Sequence, residues 1–97
     1  MNSSAKSPQQ IEKEKISDLR FPEEEVLKSI EAIQRRKLDL DRAASLGNIE
    51  HGKLRIIFED SEGLKQVETT LWGVTDKRII LKQGNLIPIH RIHEVKI

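Results

Sequence analysis

Between Val67 and Ile97 the chain reads V-E-T-T-L-W-G-V-T-D-K-R-I-I-L-K-Q-G-N-L-I-P-I-H-R-I-H-E-V-K-I, short β-branched runs cut repeatedly by Gly, Asp, Asn or Pro. Such runs between turn formers predict a succession of antiparallel hairpins, because β-branched side chains pack well on a pleated surface and the punctuating residues suit tight turns. The same pattern begins earlier. In Lys53–Glu59, Leu54, Ile56 and Phe58 fall on one face at a period of two, and Asp60-Ser61-Glu62-Gly63 supplies a turn. Leu64–Val74 then reads as one long strand. Val67, Thr69 and Leu71 share one of its faces, Glu68, Thr70 and Trp72 share the other, and Gly73 offers a bend or bulge.

Thr75-Asp76-Lys77 turns into a strand at Arg78–Lys82, and Gln83-Gly84-Asn85 turns again into Leu86-Ile87. Pro88 has no N–H to give a ladder, so residues 88–92 predict a strand exit and a single tight turn, leaving the last strand at His93–Ile97. The expected core is Leu54, Ile56, Phe58, Val67, Leu71, Ile79, Leu81, Ile89 and Val95.

A chain of 97 residues holds one modest core, and its apolar residues concentrate after Lys53. Residues 1–21 are therefore expected to be a disordered or weakly helical segment, with Ser7, Pro8 and Gln10 forming a capping box for a short first helix. Residues 22–97 are expected to form a single domain, with a helix over 22–46 and a β unit over 53–97. Pro22 followed by Glu23, Glu24 and Glu25 suits a helix start, Val26, Ile30, Ile33, Leu40 and Ala44 form a narrow apolar stripe, and Gly47-Asn48 suits an end. Such a helix spans ~37 Å, longer than a small β unit, which predicts an overhang, a pairing with a second copy, or a break near Lys37.

One helix or two, a strand, a long bent strand, two more strands, a one-turn connector and a closing strand make an α+β chain. The order resembles that of a small antiparallel five-stranded β-barrel of Sm-like or SH3-like architecture. The closing I-P-I-H-R-I-H-E-V-K-I is similar to the connector and fifth strand of such a barrel. The span Leu38–Ile97 resembles uncharacterised bacterial small-barrel proteins. V-T-D-K-R-I-I-L followed by G-N-L-I-P-I-H-R-I-H-E-V is also similar to the strands of bacterial pleckstrin-homology-like domains, although those carry more strands and usually a C-terminal helix.

The chain has no cysteine, which removes disulfides, thiolate zinc sites and a thiol nucleophile, and suits a reducing compartment. Its N-terminus has no apolar region, and no apolar run approaches the ~20 residues that span a bilayer. The expectation is a cytoplasmic protein without a membrane partner. No phosphate-binding glycine loop, dinucleotide fingerprint or nucleophile elbow is present, so the chain reads as no enzyme, with no cofactor and no evident small-molecule substrate. His90, His93 and His51 lack the carboxylate or thiol company of a zinc site, and no metal is expected. Arg35-Arg36-Lys37 suits the negative end of a helix dipole as well as it suits phosphate.

Two binding readings remain. A formal charge of +1 implies no polyanion partner for the whole chain, yet between Asp76 and Ile97 five cations face two carboxylates. Lys77, Arg78, Lys82, Arg91 and the stacking platform Trp72 are the candidates for contact with RNA or another single-stranded nucleic acid. The reading placed first is a non-catalytic interaction or regulatory module, bound to a protein partner or to itself through Val26, Ile30 and Ile33.

Overall fold

The computed structural model describes residues 7–50 and 52–96, with the backbone alone for residues 46–50. Its regular elements are strand β1 (Gln9–Gln10), helix α1 (Ile30–Glu50), and strands β2 (Leu54–Asp60), β3 (Gly63–Thr69), β4 (Leu71–Val74), β5 (Arg78–Leu81), β6 (Leu86–Pro88) and β7 (Ile92–Lys96). Short 3-10 turns cover Lys13–Asp18, Lys82–Gly84 and Ile89–Arg91. The strands form two sheets, one ordered β1-β3-β2-β7 and the other β4-β5-β6.

Two registers explain which faces are buried. Leu54, Ile56 and Phe58 of β2 stand opposite Thr69, Val67 and Lys65 of β3, so the alternation in both strands points one set of side chains inward. That row ends at the hairpin in a buried ion pair, with Lys65 Nζ donating to Asp60 Oδ1 at 3.1 Å. On the other flank the β2/β7 register shifts between Ile57 and Phe58, which inserts His93 as an extra residue and lets Ile92 and Val95 both face the core. Of the nine core residues expected from the sequence, eight are buried; Ile89 is only partly so but packs against the rest.

The sheets correct two expectations, the closed barrel and the single strand over Leu64–Val74, which is split between the two sheets. They do not hydrogen-bond around one closed five-stranded barrel. The ladder stops at Thr70, which separates β3 from β4, and the 3-10 turn at Ile89–Arg91 separates β6 from β7. The chain crosses between sheets at these two corners, and α1 packs against both β4 and β7.

The helix does not start at Pro22, nor does it end at Leu46: α1 runs Ile30–Glu50. Its start is set by Ser29, whose Oγ accepts the Ala32 N–H at 3.1 Å in the manner of an N-cap. Residues 22–29 put their polar groups to other uses. The Leu27 N–H donates to Glu25 Oε2 at 2.9 Å, and the Val26 N–H donates across the molecule to the His90 carbonyl at 3.0 Å. Nor does Ser7 open a first helix. Gln9–Gln10 instead pairs in parallel with Lys65 and Gln66 of β3, and the Ile11 N–H extends that ladder to the Gln66 carbonyl at 2.9 Å.

Residues 7–29 thus form a strap. Ile16, in its 3-10 turn, is buried in the core, and Ile11, Leu19 and Phe21 pack against it. Phe21 meets Phe58 with ring centroids 6.0 Å apart and planes tilted by 49°, an arrangement favoured by aromatic quadrupoles. Residues 1–6, expected as a disordered tail, lie outside the described residues, as do His51 and Ile97.

Candidate binding face

Three of the cations and rings singled out in the sequence converge on the outer face of the β4-β5-β6 sheet. Along β5, Ile79 and Leu81 point inward, so Arg78 and Ile80 point outward. In β6 the register places Leu86 opposite Ile80 and Pro88 opposite Arg78, on that same outer side. The β4/β5 register shifts between Leu71 and Gly73, with Gly73 opposite Ile80. Trp72 occupies this bulge, 57 % exposed. A Cβ added at Gly73 would stand 3.8 Å from Ile80 Cδ1, in ordinary contact, so Ile80 lies across the glycine beside the indole. Trp72, Ile80 and Leu86 make an apolar row across the three strands, with exposed Arg78 and Lys82 on either side of it along β5.

Local geometry holds the cations in place. Thr75 Oγ1 accepts the Lys77 and Arg78 N–H groups at 3.3 and 3.0 Å and donates to the Arg78 carbonyl at 3.1 Å, which closes the β4–β5 turn. At the other end, the Lys82 N–H reaches the Thr70 carbonyl at 2.9 Å, and the Leu81 N–H reaches Asn85 at 2.7 Å. Gln83 adopts φ 68°, in the left-handed region, and Gly84 follows at φ 84°. Among the described residues, Lys77, Arg78 and Lys82 take part in no ion pair, whereas Lys28, Arg35, Lys37 and Arg55 each have a carboxylate within 4.0 Å.

Lys77 and Arg78 also border a groove of about 640 Å³, floored by Phe21, Pro88 and Ile89, with Glu23 and Asp76 among its lining groups. His90 forms part of its wall. Its Nε2 lies 2.9 Å from the Pro22 carbonyl oxygen, an acceptor only, so that nitrogen carries the proton.

Arg91 belongs elsewhere. It is buried, its Nε donates to the Glu59 carbonyl at 2.9 Å, and its Nη1 donates to the Glu24 carbonyl at 2.7 Å, which ties the strap to the 3-10 turn before β7. Arg36, read in the sequence as part of a basic run, is buried as well. It holds Glu25 through two bonds of 2.8 and 2.7 Å and donates to the Ile92 carbonyl at 3.0 Å. Hydrogen bonding from Arg36 draws the Glu25 carboxyl below its ordinary pKa, against the opposing pull of burial. At Asp60, burial works to raise the pKa, but bonds from Lys65 and from the Glu62 and Gly63 N–H groups outweigh it and leave the carboxyl lowered.

Of the expected protein-contact residues, Val26 is half-buried within the strap, whereas Ile30 and Ile33 on α1 are exposed. The alternation in R-I-I-L-K and L-I-P was the signal for Ile80 and Leu86, which sequence reasoning left off the face. Among the described residues, no three His, Asp or Glu side chains gather as a metal site, and no helix is long and apolar enough to cross a membrane. No family model, curated protein or solved structure matches this chain.

Proposed function

We propose that this chain is a non-catalytic interaction module of the cytoplasm, and that its working surface is the outer face of the β4-β5-β6 sheet. One observation carries the reading: among the described residues, the two large apolar side chains exposed on the β unit, Trp72 and Leu86, share one face with Ile80. Exposed apolar side chains gathered in one place mark interaction surfaces, while single ones scattered over a protein do not. The absence of cysteine accords with a reducing compartment.

A display library of random peptides, screened in parallel against wild type and Trp72→Ala, tests the reading. Binders of the wild type should be lost with the indole. If every binder is retained by the variant, the face is not the working surface.

A second reading, a single-stranded nucleic acid on the same face, is favoured by the placement of Arg78 and Lys82 on either side of Trp72, since stacking and phosphate contacts act together in such sites. A uridine oligonucleotide should then bind at low salt and weaken steeply as salt rises. Failure to bind at low salt removes this second reading alone.

A further inference from the structure

We infer that the occupant of this face is a short acidic, amphipathic peptide segment of a partner protein, an inference that rests on the reading of the face above. Size is the first argument. Three strands ~4.8 Å apart and about four residues long at ~3.3 Å per residue give a platform of roughly 10 by 13 Å. A globular partner, or a second copy of this chain, buries ~800 Å² on each side of a stable interface. The platform falls several-fold short of that and fits a segment of a few residues.

The route of approach is the second argument. Peptides often join a sheet by adding a strand at its edge. Here α1 packs beside β4, the 3-10 turn at Lys13–Asp18 packs beside β6, and Pro88 of β6 has no N–H to offer. Both outer strands already pack against other elements and the face is open, so recognition runs through side chains.

Chemistry then selects the class. Trp72 is the single aromatic ring on the platform, and its companions Ile80, Leu86 and Pro88 are aliphatic. A nucleic acid draws ~1–3 kcal/mol from each base stacked on a ring, and one ring serves one base. Aliphatic neighbours suit the apolar side chains of a peptide instead. Arg78 and Lys82 lie on either side of the row, along β5, without a carboxylate partner among the described residues; the outward positions of the three strands hold no acid, and Glu23 and Asp76 of the adjoining groove pair with neither. Charge complementarity therefore calls for Asp or Glu flanking the apolar anchors.

The protein's sole tryptophan reports the test directly. Three synthetic 12-residue peptides without tryptophan would be titrated while Trp72 emission is followed. They share Leu and Phe at alternate positions and carry Glu, Ser or Lys between them. A uridine 12-mer is the fourth probe. The Glu peptide should shift the emission saturably and bind at least about tenfold more tightly than the Lys peptide, and Arg78→Glu with Lys82→Glu should invert that preference. Arg78→Gln with Lys82→Gln, a gentler pair at the same exposed positions, should erase the preference and serves if the reversed pair fails to fold.

Equal or tighter binding of the Ser peptide, the Lys peptide or the uridine 12-mer through Trp72 overturns the acidic class while leaving the face as the working surface. No emission shift with any of the probes overturns the inference. Whether the face itself stands is then decided by the display screen.

Discussion

Arg36 and Glu25 join two parts of the chain that no local pattern connects. The guanidinium is 5 % exposed, and its two short bonds to Glu25 fix the strap against α1, with a third bond to the start of β7. Because the folded protein holds the Glu25 carboxyl below its ordinary pKa, the unfolded chain binds the proton more readily. The stability contributed by this pair is therefore complete above the ordinary carboxylate range and is lost as pH falls through the lowered value. In urea melts over an acid series, wild type should weaken on acidification, and Glu25→Gln should flatten that part of the slope. An unchanged slope would detach the pair from acid stability. Arg36→Met should cost up to about 3 kcal/mol at neutral pH, moderated by the partial access of Glu25 to water.

At the scale of the element, α1 is anchored by its middle. Leu40 and Ala43 are buried, as is Arg36, whereas Ile30 is 71 % and Leu38 63 % exposed. Leu40→Ala should lower stability by about 2–5 kcal/mol, while Ile30→Asp should fall within about 0.5 kcal/mol of wild type. Thermal melts of the two variants decide it, since a large loss at Ile30 would put that side chain in the core. The strands were legible in the sequence because period-two alternation and turn residues are local signals. Leu54, Ile56 and Phe58 needed no partner to declare their face. The start of the helix was not legible, because Glu23-Glu24-Glu25 after a proline is a good opening in isolation and loses only to bonds from Arg36 and His90, far along the chain. Exposed Trp72 followed from alternation alone. Arg91 did not, since burying an arginine depends on the Glu24 and Glu59 carbonyls that the fold brings to it.

For the molecule as a whole, residues 7–29 complete the core through Ile16, with Ile11, Leu19 and Phe21 packed against it. K-E-K-I-S-D reads as a polar stretch, and Ile11, Ile16, Leu19 and Phe21 follow no helical or strand period, so only tertiary contact reveals their purpose. Ile16→Ala should cost about 2–5 kcal/mol in a thermal or urea melt. A neutral outcome would return the strap to the status of an unattached arm.

The strap also has a temporal consequence. Synthesis runs from the N-terminus, so Ile16 and Phe21 leave the ribosome before any of their seats exist: β3 and β6 come tens of residues later, and β2 waits for β7 to complete its second flank. Their apolar side chains have no partners until those strands are made, and the strap's bonds to Arg91 and the His90 carbonyl must wait for the turn at Ile89–Arg91. Long-range closure of this kind slows folding. During translation, a chaperone that takes up exposed apolar segments would meet Ile16 and Phe21 before the strands that cover them.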